Sequence, residues 1–233
     1  NAFVTKFATA GSSLAYSTFL GGDGYDYGCG IAVDSAGSAY VAGVTNSFSN
    51  NLFPTANAYQ PIPGGGDADA FVSKFAPSGS TLAYSTFLGG GALDVGYDIA
   101  VDAGRAAYVT GETDSSNAPY FFPIVNAYQP TIGGDYDAFV SRFGPDGSTL
   151  SYSTFLGGGG SDFGYGIAVN AALRSTYVTG FTYSYDFPLM NPYQAGMSSS
   201  PDAFAGILIA EPTATPSPSV TPTPSVTPTP VGE

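Results

Sequence analysis

One stretch recurs along this chain almost verbatim, and its spacing limits the fold more than any other feature. NAFVTKFATAGSSLAYSTFLGGD at 1–23 returns as DAFVSKFAPSGSTLAYSTFLGGG at 69–91 and as DAFVSRFGPDGSTLSYSTFLGGG at 137–159. A fourth copy opens at Asp202 as DAFAGILIA and ends after one strand's worth of residues. The Ala-Phe pairs start at Ala2, Ala70, Ala138 and Ala203, giving steps of 68, 68 and 65 residues. A fixed period of that length marks a modular array in which each repeat is one supersecondary unit.

Each period holds four short runs rich in Val, Ile, Tyr, Phe and Thr, bounded by Gly, Pro, Ser or Asp. In the second copy they are 70–75, 82–88, 98–102 and 107–113, and their composition and punctuation predict strands. Pro77-Ser78-Gly79-Ser80 joins the first two as a hairpin turn, and 103–106 joins the last two. No segment sustains a 3.6-residue apolar rhythm, so the expected fold class is all-β. In 82–88 one face reads Leu82, Tyr84, Thr86, Leu88 and the other Ala83, Ser85, Phe87, with no charge on either. A sheet wet on one side alternates apolar with polar. These strands instead predict sheets sandwiched between sheets: four-stranded antiparallel β-propeller-like blades. The expected domain covers 1–210, as repeats 1–68, 69–136 and 137–201 plus the partial 202–210. The Ala-Phe strand occurs four times and the others three, so one strand is surplus, either 2–7 or 203–210.

The strings DAFV, SYSTFLGGG, YGIAV and YVTG, a Phe-Pro about ten residues later and a closing GGDYDAF resemble the SBBP beta-propeller repeat of bacterial secreted and surface proteins. The resemblance runs from Asn1 to about residue 210. It implies blades and an extracytoplasmic setting, and it carries no activity and no catalytic residues with it.

Composition narrows the function. Five basic against 18 acidic residues leave a net charge of −13, which excludes a nucleic-acid partner, since phosphates need Lys and Arg to displace their counterions. The same balance argues against electrostatic adhesion to an anionic membrane, and no apolar run is long enough to span one. There is no His; Ser-His-Asp and Cys-His sites and histidine-ligated zinc are therefore excluded. The Asp residues recur with the period, as loop-structuring residues do, whereas a catalytic carboxylate pair would be unique to one place. No enzyme is expected. The lone Cys29, flanked by Gly28 and Gly30, is expected to be a small buried residue. A start on Asn1 inside a strand motif predicts a processed or excised chain, and an acidic, lightly charged, Gly/Ser/Thr/Tyr-rich composition predicts a secreted, extracellular or cell-surface location.

Three features are candidate sites. After each LGG the sequences Gly21-Gly22-Asp23-Gly24-Tyr25-Asp26 and Gly157-Gly158-Gly159-Gly160-Ser161-Asp162 match the start of a calcium-binding glycine-aspartate repeat, and copy two carries Ala92 before Asp94. Copies so far apart cannot stack as that repeat does. Asp26, Asp94 and Asp162 are therefore either acceptors of loop N–H bonds or carboxylates of a calcium site shared with a neighbouring loop. Asp34, Asp102 and Asn170 end the third strand of each repeat, where accepting a turn N–H suits Asp and Asn alike. The connections at 46–68, 114–136 and 183–201 exceed the usual loop length. Each contains Phe-Pro and then Asn-x-Tyr-Gln: Phe53 with Tyr59, Phe122 with Tyr128, Phe187 with Tyr193. These aromatics either plug the loop onto its blade or form a face for a protein or a surface or cell-wall glycan.

Residues 211–233 form a tail of EPTATPSPSVTPTPSVTPTPVGE, expected to be extended polyproline II. Its Thr213, Thr215, Ser217, Ser219, Thr221, Thr223, Ser225, Thr227 and Thr229 are candidate O-glycosylation sites. The expected partner is a second copy of the chain: the unpaired strand, through Ala2, Phe3, Val4 and Phe7 or through Ala203, Phe204, Ile207, Leu208 and Ile209, enters a neighbour's blade and builds a closed oligomer or a surface filament. The alternative is a glycan- or protein-binding module on a Pro-rich stalk.

Overall fold

The computed structural model describes residues 1–49, 52–116, 120–170 and 175–209. The anticipated tail and the boundary at residue 211 lie outside them. Thirteen strands follow one another without a helix among the described residues: β1 (Ala2–Phe7), β2 (Leu14–Leu20), β3 (Asp26–Val33), β4 (Ala39–Thr45), β5 (Asp69–Phe75), β6 (Leu82–Leu88), β7 (Asp94–Val101), β8 (Ala107–Thr113), β9 (Asp137–Phe143), β10 (Leu150–Leu156), β11 (Asp162–Asn170), β12 (Ser175–Thr182) and β13 (Asp202–Ile209). They form four antiparallel sheets: β1-β2, β3-β4-β5-β6, β7-β8-β9-β10 and β11-β12-β13.

The blade is therefore out of phase with the sequence repeat. A complete blade takes its first two strands from the end of one repeat and its last two from the start of the next. The reason lies in the two kinds of connection. The long Phe-Pro segment stays within a blade, because β4 pairs directly with β5 and β8 with β9. The short glycine loop after β6 or β10 carries the chain to the next sheet. The expectation of one orphan strand is corrected accordingly: among the described residues the N-terminal sheet has only the last two strands of a blade, and the C-terminal sheet only the first three.

The inner strand is also longer than expected. It starts at Asp94 rather than at residue 98, and its ladder continues through a bulge between Gly96 and Asp98. The same irregularity falls between Gly28 and Gly30 and between Gly164 and Gly166. The turns are as the residues require: Gly79 and Gly147 hold φ of 74° at the outer hairpins, and Arg105 holds 68° in the β7–β8 turn.

Stacking explains the uncharged faces. β4 and β5 are buried along their whole lengths, as central strands of a sheet covered on both sides must be. One cluster packs Tyr40, Ala42, Ala70, Val72, Tyr84 and Leu88 of the first full blade against Ile99, Val109, Phe122, Phe139 and Phe155 of the second. Ala2, Val4 and Leu20 pack on the other face of the first full blade. Ala138, Val140 and Leu156 pack on Ile167, Val178 and Phe204.

Candidate functional site

Three repeated constellations hold each blade together, and they show what the incomplete ends lack. The first is aromatic. Phe53, from the long β4–β5 connection, lies 4.4 Å from Phe71 on β5 and 6.0 Å from Phe87 on β6, ring centre to ring centre. Phe122 stands 4.7 Å from Phe139 and 5.9 Å from Phe155. Both Phe53 and Phe122 are fully buried. The plug is thus what they form, and as residues offered to a partner they are corrected: their rings are spent inside the molecule. Tyr59 is half-buried against Phe143, while Tyr128 and Tyr193 are exposed.

The second constellation is ionic. Lys74 on β5 stands opposite Tyr40 on β4, lies 4.7 Å from its ring centre and reaches Asp34 at 3.7 Å. Arg142, Tyr108 and Asp102 repeat it: the guanidinium Nε donates to the Tyr108 hydroxyl at 2.8 Å, and its Nη2 lies 3.9 Å from Asp102 Oδ2. Asp34 also accepts the Ala36 and Ser38 N–H groups at 2.9 and 3.0 Å, the turn role its position implied. Burial alone would raise its carboxyl, but those N–H groups, the Tyr40 hydroxyl and the Lys74 charge hold it below the ordinary range.

The third fixes the glycine loops. Asp26 Oδ1 accepts Thr45 Oγ1 at 2.6 Å and Ser47 Oγ at 2.9 Å, and its Oδ2 accepts the Gly22 N–H at 3.1 Å. Asp94 accepts Gly90 N–H and Ser115 Oγ, and Asp162 accepts Gly158 N–H and Ser184 Oγ. The donors come from Thr-x-Ser at 45–47, 113–115 and 182–184, a repeated motif that the sequence displays and that its reading above passed over. Each Asp has a neighbour from the preceding blade: a methyl group added to Gly89 would strike both Asp69 and Asp94, and one added to Gly157 both Asp137 and Asp162. Burial, and then the charge of Asp94, push Asp69 up to about 8. Burial likewise raises Asp94 and Asp137. Asp69 Oδ1 and Asp94 Oδ1 are both buried without a hydrogen-bond partner. At the first such junction Asn1 takes the place of Asp69, beside Asp26 at Gly21. A carboxamide has the shape of a protonated carboxyl, so one neutral partner satisfies the junction. Among the described residues no group of three or more His, Cys, Asp or Glu side chains is gathered as a metal site.

These blades have a counterpart among known sequences. Residues 15–53 match the SBBP beta-propeller repeat. The matched stretch runs from β2 through β3 and β4 to Phe53, and so ends on the plug. No curated protein matches the chain. The SBBP repeat sets the coarse conclusion, a structural or binding module.

Against the complete blades the N-terminal end is bare. Phe3 and Phe19 are the counterparts of Phe71 and Phe87, which are fully buried, yet they stand 72% and 80% exposed. Ile31 on β3 is 58% exposed, whereas its equivalents Ile99 and Ile167 are 3% and 8%. Tyr27 and Val33 are exposed beside it, as is Cys29, contrary to the expectation of a buried thiol. The cause is common: β7 packs on β3, β4 and β5, while the sheet beneath β3 has no first and second strands. Phe7 is exposed too, but the side chains of Ala2 and Val4 are buried against the next sheet, so as side chains offered to a partner these two are corrected, and only their backbone edge is open. At the other end β13 is an open edge. Its Phe204 is buried under Phe187 at 4.5 Å, a second correction, since the ring is already covered. Ala203 is exposed, and the side chains of Ile207, Leu208 and Ile209 lie outside the described residues.

Proposed function

We propose that this chain is a non-catalytic structural protein that associates with copies of itself through its incomplete sheets, in an extracellular or cell-surface setting. The observation that carries the reading is the bare N-terminal end. Phe3, Phe19, Tyr27, Ile31 and Val33 form an apolar surface at positions whose counterparts elsewhere in the same chain are covered. Large apolar side chains left exposed at such positions mark interaction sites, and an open strand edge beside them supplies backbone donors and acceptors for pairing. The Ser and Thr hydroxyls of the tail belong to the same reading as glycan attachment points of a surface protein.

A second reading, display of a glycan- or protein-binding surface, is supported by a cleft of roughly 430 Å3 lined by Asn57, Tyr84, Pro145, Asp146 and Ser148. The two readings part on solution mass. Self-association predicts that light scattering on a sizing column gives a multiple of 23.6 kDa without any ligand, and that Phe3→Ser with Phe19→Ser returns the chain to a monomer. A parent chain that stays monomeric at high concentration overturns it.

A further inference from the structure

The N-terminal sheet lacks three things at once: two strands against the open edge of β1, a cover for Ile31, Tyr27 and Val33, and a phenylalanine plug for Phe3 and Phe19. In the complete blades one contiguous segment supplies all three, β3-β4 with Phe53 or β7-β8 with Phe122. The chain contains a third such segment, β11-β12 with Phe187, and it belongs to the sheet that lacks a fourth strand. Resting on the self-association reading, we infer that the two ends are halves of one blade. β1-β2 of one copy seats on β12 of a second copy and takes the place of β13, forming a composite blade β11-β12-β1-β2.

The register follows from the blades already complete. β4 and β5 pair Thr45 with Asp69, Ala42 with Val72 and Tyr40 with Lys74. Transferred to the composite blade, Thr182 meets Asn1, Thr179 meets Val4 and Tyr177 meets Lys6 of the other copy. Lys6 thereby gains the tyrosine partner that Lys74 and Arg142 have in Tyr40 and Tyr108. Phe187 gains a second ring, Phe19, completing the trio that Phe53 and Phe122 make. Tyr177 and Thr179, exposed on the outer face of β12, come to lie where Tyr40 and Ala42 lie against Ile99, that is, over Ile31.

The strand now in that place is a poor third strand. Wherever a fourth strand is present, the third is tied to it by a hydroxyl pair: Thr5 with Ser17 at 2.8 Å, Ser73 with Ser85 at 2.7 Å, Ser141 with Ser153 at 2.8 Å. β13 has Gly206 at that position, opposite Val178, and Ile207 where the cation belongs, opposite Tyr177. It can cap β12 but has neither group that engages its neighbours. β1 has both.

The test pairs cysteines across the composite blade. In a Cys29→Ser background, chains carrying Thr5→Cys are mixed with chains carrying Val178→Cys and oxidised. The equivalent residues, Ser73 and Val41, are direct cross-strand partners, within the Cα separation a disulfide spans. The expected result is a disulfide-linked pair from the mixture and from neither variant alone, with the parent above the single-chain mass by light scattering. An oligomer that forms without the cross-link overturns the composite blade and leaves self-association standing. A monomer in every sample overturns this inference and the reading beneath it together.

Discussion

Replacing Asp69 by Asn should stabilise this protein at neutral pH, which is unusual for a fully buried aspartate with a hydrogen bond. Asp69 Oδ2 accepts the Gly64 N–H at 2.6 Å, but its Oδ1 is orphaned and shares the space around Gly89 with the Asp94 carboxylate, which also has an orphaned oxygen. Burial and the Asp94 charge move its carboxyl from an ordinary 3.8 to about 8. A carboxyl raised in the folded state binds its proton more tightly there than in the unfolded chain. Its contribution is therefore whole below about pH 4 and is lost as pH rises toward 8. Integrated to pH 7, the loss has a ceiling of about 4 kcal/mol, reduced to whatever extent Asp94 shares the proton. Asn at 69 keeps an oxygen for Gly64, offers an N–H to Asp94 and removes the titration, as Asn1 does beside Asp26. Melting temperatures of parent and Asp69→Asn at pH 4, 6 and 8 test this. The two should coincide at pH 4 and separate with rising pH, by on the order of 10 °C at the ceiling for a domain of this size. A variant less stable than the parent at pH 7, or one with the parent's pH slope between 5 and 8, refutes the shared-proton account.

Two further outcomes follow from the same geometry. Phe122→Ala should cost about 3–5 kcal/mol, as deletion of a buried ring does, and Phe187→Ala should cost the monomer less, because Phe187 is only half-buried; a neutral Phe122→Ala would mean that the ring is not a plug. Excess EDTA should leave the melting temperature unchanged, since Asp26, Asp94 and Asp162 are met by N–H and O–H donors; a drop would place calcium at the glycine loops, because a ligand of the folded state stabilises it by mass action.

What could be read from the sequence, and what could not, divides along one physical line. Strand positions were legible because period, β-propensity and turn residues are local: Leu82–Leu88 and Ala107–Thr113 have the bounds their residues imply. The absence of charge on both faces of 82–88 was enough to predict stacked sheets, since only burial on both sides explains it. The phase of the blade was not legible. It depends on which of two connections crosses between sheets, and nothing within 46–68 states that β4 pairs with β5. A long connection suggests a crossing, whereas here the length is needed to carry Phe53 across the blade face and back. Asp69 was missed as a functional position for a related reason. As the first residue of a DAFV strand it reads as a boundary marker, and its meaning appears only when stacking sets it against Asp94, 25 positions along the chain. The bare end followed the opposite course. Phe3 and Ile31 are the same residue types as Phe71 and Ile99, in the same local sequence, so no reading of their neighbours could separate exposed from buried. The difference is made by two strands that the N-terminal sheet does not have among the described residues, rather than by any residue of the site.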